Sequence, residues 1–406
     1  MAKPLAGIKV VEMSTFVAGP VTARLLADLG AEVIKVERPE GDGWRLTGVG
    51  YNPNRFSKDE NPVFDIYNTG KKHIALNLKT PAGMEAFHRL LAQADVFVTN
   101  TRPKALQRLG ISYEDLKDKY PGLVYGILLG YGEEGPDAAM QAFDTSAYWA
   151  RGGFLRDLAV DNGEDYVPVQ PPFSVGDTVT GYMLMGQICA ALCRKKDTGL
   201  GDYVRAGLYH NGIFTMGTMA IITQPPFGRE YPAPRYRHSA PSGSYRCADG
   251  EWIFLSGYNA AQIAVVHRML GLENLDQDPR FCTPELRTEN RRDYYEEIRK
   301  AFVSQPSKHW LAKAKEMDLP LIRMGHFSDI AGDEQAWANG YLEHVEFANG
   351  HVDVMPRSPI EMDSVGELKT VPAPGVGAHT AQILKELGYS QEEMDAMGAS
   401  GAACFG

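Results

Sequence analysis

Apolar and polar positions alternate in blocks along the first half of the chain. Gly7 to Met13 (GIKVVEM) is an apolar run of strand length. Val21 to Leu29 (VTARLLADL) repeats its apolar residues at helical spacing until Gly30 stops it. Ala31 to Val36 (AEVIKV) reads as a second strand. A loop rich in Gly, Asn and Pro interrupts, and the alternation then resumes. It predicts strand His73–Leu78, helix Gly83–Ala92, strand Val96–Thr99, helices Lys104–Leu109 and Tyr113–Lys119, and strand Leu123–Leu129. A long helix follows from about Thr178 to Lys196, and Tyr203 to Tyr209 returns as a strand. Strands separated by helices predict a parallel sheet with right-handed crossovers.

From about Thr223 the texture changes. Gln224 to Pro241 carries five prolines and many aromatics, as a connector does. Gly243 to Gly257 reads as a two-stranded hairpin turning at Ala248-Asp249-Gly250. Helices are predicted over Gln262–Leu270, Arg291–Val303 and Lys308–Met317. Phe347 to Met355 is a second hairpin with its turn at Asn349-Gly350, and the tail ends in helix Thr380–Leu387 before Gly388. The expected fold class is α/β. A large Rossmann-like domain with a parallel sheet takes residues 1–205 and 335–406, and a smaller α+β domain takes 225–330. Residues 206–224 and 331–334 connect them.

Hydrophobic residues at 44% and charged residues at 23% of 406 describe an ordinary globular protein. A formal net charge of −10 argues against nucleic acid, whose phosphates demand clustered Lys and Arg. An anionic ligand would need local cations. The five cysteines include no C-x-x-C pair and fit no closed disulfide framework. Met1 to Gly7 lead straight into a strand, and no apolar run approaches the roughly 18–20 residues of a membrane helix. A cytoplasmic protein is the expectation.

Candidate chemistry is sparse. The first strand runs through Ser14–Pro20 into a helix, an arrangement that offers free N–H groups to phosphate, and Glu37 stands eighteen residues after Gly19. The G-x-G-x-x-G fingerprint is absent, so a purely structural turn competes with a ligand site. Lys35, Arg38, Asn68, Lys71, Lys72, Asn100 and Arg102 all fall near strand ends. Surface solvation explains each alone; their shared position suggests an anionic ligand. Gly176-Asp177-Thr178 precedes the long helix. Asp177 is an N-cap in the bland reading. In the chemical reading it is a carboxylate kept ionised by the helix dipole, with glycine beside it to admit a substrate. No G-x-S-x-G, H-E-x-x-H, Walker loop or metal-ligand spacing occurs among the ten histidines.

A series of motifs in order resembles the class III CoA-transferases, the family that includes formyl-CoA and carnitine-CoA transferases. They begin with Pro4–Val10, Ala18-Gly19-Pro20, Ile34–Pro39 and Thr99–Pro103. Leu106–Gly110, Gly130-Tyr131-Gly132 with Gly135-Pro136, Phe143-Asp144 and Gly152-Gly153 follow. Gly176-Asp177, Gly257-Tyr258-Asn259, Asp278–Phe281, Asn290-Arg291 and Gly377-x-His379-Thr380 complete the match. Within the family, Ala142–Thr145, Tyr148–Gly153 and Asp333–Asn339 resemble enzymes acting on (R)-2-hydroxy acids such as 2-hydroxyisocaproate or phenyllactate.

The resemblance implies an interlocked homodimer with Asp177 as covalent relay and the Gly257–Tyr258 loop over it. It implies coenzyme A contacts at Val17, Arg38, Asn100, Arg102 and Arg108. An oxyanion would be met by N–H groups following Asp177 or by the Gly257 loop. Acyl-CoA and a free acid are the substrates, with no tightly bound cofactor and no metal. Asp144, Tyr148, Trp149 and Arg151 are the expected acid-pocket residues, with Tyr131 a further candidate for the 2-hydroxyl. Other acids (formate or oxalate, carnitine, a dicarboxylate) remain alternatives. An NAD-dependent oxidoreductase is a rival from another class, weakened by the missing glycine fingerprint, and a non-catalytic CoA-binding subunit is a second, weakened by Gly176-Asp177.

Overall fold

The alternating blocks condense into one seven-stranded sheet. A computed structural model describes residues 2–161, 166–232, 241–256 and 259–406. The central strand is β1 (Lys9–Met13), followed by helix α1 (Ala18–Asp28), β2 (Glu32–Glu37) and β3 (Lys72–Leu76). Helix α2 (Pro81–Leu91), β4 (Val96–Thr99), α3 (Pro103–Leu109) and β5 (Val124–Leu129) come next. The long helix α4 (Val175–Thr198), β6 (Tyr203–Gly207) and a last strand β7 (Ala403–Cys404) complete the sheet layer. The spatial order is β7-β3-β2-β1-β4-β5-β6. Six strands are parallel, and β7 pairs antiparallel with β3.

Successive side chains of each strand face opposite sides, so the sheet has two cores. Val10, Val33, Val96, Val98 and Val124 pack under α1 and α4, with Leu26, Leu184 and Ile188 above them. Val11, Val36, Ile74, Phe97 and Tyr125 pack on the other face with Phe87, Ile383 and Met397. Local chemistry sets the helix ends. Thr80 caps α2 by accepting from the Gly83 N–H, with Pro81 at the first helical position, where its missing N–H costs nothing. Helix α3 stops at Gly110, whose φ of +68° is left-handed.

Two readings of the sequence need correction here. The Gly/Asn/Pro-rich loop holds three short helical pieces, Gly43–Leu46, Thr47–Tyr51 and Pro62–Asp65, the first and third capped by Asp42 and Asn61. Nor does the tail end at its first helix. Gly388 separates it from Gln391–Ala399, which opens with a Ser390–Glu393 capping box, and β7 then makes the sheet mixed. Two residues of strand are too short to leave a periodic signal.

The chain divides into two compact units. One comprises Met1–Arg156, Val169–Arg229 and Glu334–Gly406; the other comprises Asp157–Pro168 and Glu230–Asp333. The second has a three-stranded antiparallel sheet, because Leu321–Arg323 adds to the hairpin Gly243–Arg246/Trp252–Leu255. Its core is aromatic, built on Tyr245, Phe281, Tyr294, Phe302 and Trp310.

The carboxyl ends of β1 to β3 are fixed by buried charge. Glu12 sits 2.9 Å from Lys35 Nζ and 2.7 Å from Lys71 Nζ, all three side chains fully buried. Lys35 also reaches Asp42 at 3.1 Å and donates to the Ser14 carbonyl, while Lys71 donates to the Pro20 carbonyl. Burial alone would raise the Glu12 carboxyl, but Lys35 and Lys71 outweigh it and hold it near 2. Glu37, Arg45 and His73 form a second buried cluster, from which Arg45 donates to the Pro374 carbonyl and ties in the C-terminal segment.

A carboxyl lowered on folding stabilises the protein above its ordinary 4.5, and that contribution is lost as pH falls toward about 2. Glu12→Gln is expected to cost roughly 3–5 kcal/mol at neutral pH, because it leaves Lys71 buried without a counter-charge. Urea unfolding of both proteins checks this: the wild-type advantage is full at pH 7 and shrinks below the ordinary carboxylate range. Equal stability at neutral pH would count against the cluster as the anchor of the sheet edge.

Candidate active site

Asp177 is the third residue of α4, not its N-cap. The N-cap is Ser174, which has a left-handed φ of +70° and makes no side-chain cap bond. The second helical residue, Gly176, is required by contact: a Cβ there would lie 2.3 Å from both Asp144 Oδ1 and Tyr148 Cγ. Helix α4 is itself locked onto α1, where Thr22 Oγ1 donates to the Gly181 carbonyl at 3.1 Å. Burial, followed by the charge of Asp144, pushes the Asp177 carboxyl up to about 7. The expectation of a carboxylate kept ionised by the dipole is therefore corrected: desolvation outweighs the helix end. The N–H after Asp177 is also unavailable to an oxyanion, because Thr178 donates it to the Ser174 carbonyl at 2.9 Å.

Asp144 opens a π-helical turn, Asp144–Ala150, in which the Arg151 N–H bonds the Ser146 carbonyl at 3.1 Å. Only 6% of Asp144 is exposed, and neither carboxylate oxygen finds a hydrogen-bond partner among the described residues. Burial raises this carboxyl, while the nearby N–H groups of Gly176, Ser174 and Asp177 and the Trp149 indole pull it down without completing a bond. Tyr148 is 2% exposed and stacks on Phe154 at 4.9 Å, so its ring belongs to the core rather than to an open pocket. Arg151 faces away from that core: it pairs with Asp137 at 2.6 Å and lies over the rings of Tyr131 and Tyr209. Tyr67 was missed in the sequence because its stretch read as loop. Its phenol, raised by burial, lies beside the Thr178 and Ser174 hydroxyls and near Asp177.

The sheet order reverses at β1, whose neighbours are β2 and β4, so a crevice opens beyond the carboxyl ends of β1 and β4. Asn100 bridges its two sides, accepting from the Thr15 N–H at 3.0 Å and donating to the Thr15 carbonyl at 2.7 Å. Its amide thus has a structural role in the turn. Val17 is 1% exposed, so its side chain is covered. The exposed neighbour is Phe16, at a left-handed φ of +64°, whose ring meets Trp44 at 6.0 Å and Phe143 at 6.3 Å. Arg38 and Arg102 are exposed at the ends of β2 and β4 with no ion pair among the described residues. Arg108 is exposed and donates to the Lys104 carbonyl.

The cations near the strand ends do not act together on an anion, contrary to the expectation from their shared position. Lys35 and Lys71 are consumed by Glu12, Lys72 pairs with Glu32, and Asn68 bonds Lys71, so none of them is left facing an anion. Gly257 and Tyr258 lie outside the described residues; Asn259, next to them, caps helix Ala260–Leu270. Among the described residues no group of three or more His, Cys, Asp or Glu side chains could hold a metal ion, and no helix is long and apolar enough to cross a membrane.

Residues 5–380 match the model of CoA-transferase family III. The (R)-2-hydroxy-4-methylpentanoate CoA-transferase of Clostridioides difficile is 38% identical over 96% of this chain and 97% of its own length. The cinnamoyl-CoA:phenyllactate CoA-transferase of Clostridium sporogenes is 34% identical over 96% and 95%. In three dimensions the chain resembles a CAIB/BAIF family protein from Brucella suis, with a TM-score of 0.80, 27% identity, and 95% and 100% coverage. Rv3272 of Mycobacterium tuberculosis superposes equally well, with a TM-score of 0.80, 26% identity, and 94% and 98% coverage. A Rossmann-like sheet with a half-buried aspartate in the first turn of its long helix, matched along nearly the whole chain, places this protein in CoA-transferase family III, as a CoA-transferase.

Proposed function

We propose that this enzyme moves coenzyme A from an acyl-CoA to an (R)-2-hydroxy acid with a bulky apolar side chain, through covalent intermediates on Asp177. The observation that carries the relay is the carboxyl of Asp177 in the first turn of α4, where Gly176 lets Asp144 and Tyr148 pack close and burial pushes the group up to about 7. The Asp177 carboxylate attacks the thioester carbonyl and displaces CoA thiolate, leaving a mixed anhydride. The thiolate attacks the aspartyl carbonyl and releases the donor acid, giving an aspartyl-CoA thioester. The acceptor carboxylate displaces the thiolate again, and thiolate attack on the acceptor's acyl carbonyl yields the new acyl-CoA and free Asp177. Only an ionised Asp177 can begin the sequence.

The acid class rests on the two relatives acting on 2-hydroxy-4-methylpentanoate and phenyllactate. It also rests on Tyr131, Trp149 and Val179, partly exposed apolar surface backed by the buried cluster of Ala147, Phe154 and Leu208. Coenzyme A would lie along the β1/β4 crevice, its phosphates met by Arg38, Arg102 and Arg108, with the Phe16–Trp44–Phe143 rings as the adjoining apolar surface. The interlocked homodimer belongs to the same reading. It is supported by Ile213, Phe214 and Ile221, which are 43%, 76% and 52% exposed on adjoining helices. Cytoplasmic acyl-CoA would be its substrate pool.

Asp177→Ala is expected to lose turnover by roughly 10³-fold or more while still binding CoA. Wild-type protein mixed with a competent acyl-CoA should gain the mass of CoA, and the variant should not. Because the Asp177 carboxyl stands near 7, kcat/KM should rise with pH and level off above about 7. Retained turnover in the variant would remove Asp177 from the mechanism, and a flat profile across neutrality would remove its raised carboxyl.

A panel of acids against one acyl-CoA donor tests the substrate class. 2-Hydroxyisocaproate or phenyllactate should exceed lactate, formate, oxalate and carnitine in kcat/KM by roughly tenfold or more, since burying a Leu- or Phe-sized group contributes about 1.5–3 kcal/mol. Preference for oxalate, formate or carnitine would leave CoA transfer standing and overturn the acid.

A further inference from the structure

Two buried polar groups beside Asp177 have no partner, and they are of opposite kind. Asp144 offers two acceptor oxygens, and Trp149 Nε1 offers a donor; none of the three atoms makes a hydrogen bond among the described residues. Both side chains come from the same π-helical turn, Asp144–Ala150. Such turns are rare, cost hydrogen-bond quality and recur at functional sites. The turn places Asp144 Oδ1 only 2.3 Å from where a Gly176 Cβ would be, one residue from Asp177. It also sets the Trp149 ring against Tyr148 at 6.0 Å and Phe154 at 5.2 Å. Buried polar groups are nearly always hydrogen-bonded, so two without partners in one turn call for an explanation.

One explanation is structural. Asp144 faces the N–H groups at the start of α4, where Ser174 gives no side-chain cap, and could serve as a cap from a distance. In that account the Trp149 N–H lies near the Asp144 carboxyl but, like the Gly176, Ser174 and Asp177 N–H groups, completes no bond to it. A ligand group that donates to a carboxylate and accepts from an indole satisfies both at once. A hydroxyl does so; a carboxylate only accepts, and a methylene does neither.

We propose that Asp144 and Trp149 together bind the hydroxyl on the α-carbon of the acceptor acid. The inference rests on the hydroxy-acid reading above and adds the residues that would read the hydroxyl. The acyl carbon at Asp177, the hydroxyl between Asp144 and Trp149, and the side chain against the apolar cluster around Phe154 and Leu208 make three attachments. Three attachments distinguish the enantiomers of a 2-hydroxy acid, where two would not.

The test compares (R)-2-hydroxy-4-methylpentanoate with its deoxy analogue 4-methylpentanoate, using one acyl-CoA donor. It is run on wild type, Trp149→Phe and Asp144→Asn, each checked for a wild-type melting profile. Trp149→Phe keeps the packing and removes only the donor. Wild type should favour the hydroxy acid in kcat/KM by about 10²-fold or more, because a site built around a hydroxyl rejects its absence. In Trp149→Phe that preference, and the preference for the (R) over the (S) acid, should each shrink by roughly tenfold or more, read as ratios in which any loss common to both acids cancels. Asp144→Asn should shrink the same ratio even if it slows both acids through Asp177. A strong wild-type preference retained in Trp149→Phe overturns the inference and leaves the hydroxy-acid reading intact. Wild-type indifference to the hydroxyl overturns both, while the Asp177 adduct would still report CoA transfer.

Discussion

One carboxylate, Glu12, holds the ligand-facing edge of the sheet together. It lies at the end of the central strand with no exposure and meets two ammonium groups. Three charges removed from water would be costly, and the arrangement is tolerable because short ion pairs are supplemented by hydrogen bonds to the neighbouring turn. Ser14 Oγ donates to Glu12, Lys35 donates to the Ser14 carbonyl, and Lys71 to the Pro20 carbonyl. The turn from Ser14 to Pro20 is therefore fixed at both ends by charge. Asp42 extends the cluster by accepting the Phe16 and Trp44 N–H groups, which stabilises a left-handed backbone that a phenylalanine rarely adopts. The exposed Phe16 ring is held out at the β1/β4 crevice as a result.

Asp177 shows two opposing influences on one carboxyl, and their sizes decide the outcome. A helix N-terminus favours a carboxylate by roughly 0.3–1 kcal/mol, less than the ~1.4 kcal/mol that one pKa unit represents. Burial and the Asp144 neighbour move the group from 3.8 to about 7. The dipole cannot offset that. A desolvated carboxylate of raised basicity is the stronger nucleophile once ionised, while a smaller fraction of it is ionised near neutrality. Gly176 makes the burial possible, because Asp144 and Tyr148 occupy the volume a side chain would have taken.

Periodicity alone located the six parallel strands and their crossover helices, since strands buried on both faces are continuous apolar runs and helices repeat at 3.6 residues. The Asn349-Gly350 and Ala248-Asp249-Gly250 turns were equally legible, because few residues adopt those backbones. The short helices at Gly43–Leu46 and Pro62–Asp65 were signalled only by their caps, Asp42 and Asn61. Strands of two or three residues, at Ala403–Cys404 and Leu321–Arg323, carried no signal because their partners, not their composition, define them.

The sequence by itself determined the layered α/β fold and the family, since motifs and spacing are properties of the chain. Tertiary structure decided which charges are free. Lys35 and Lys71 read as ligands for an anion until the fold set Glu12 between them, and Asn100 read as a contact until Thr15 took both ends of its amide. Tertiary structure also decided that Asp177 sits in a desolvated first turn, with Tyr67 and Asp144 brought to it from distant segments. Solvent exclusion and the pairing of remote charges depend on which segments meet, and no local pattern records that.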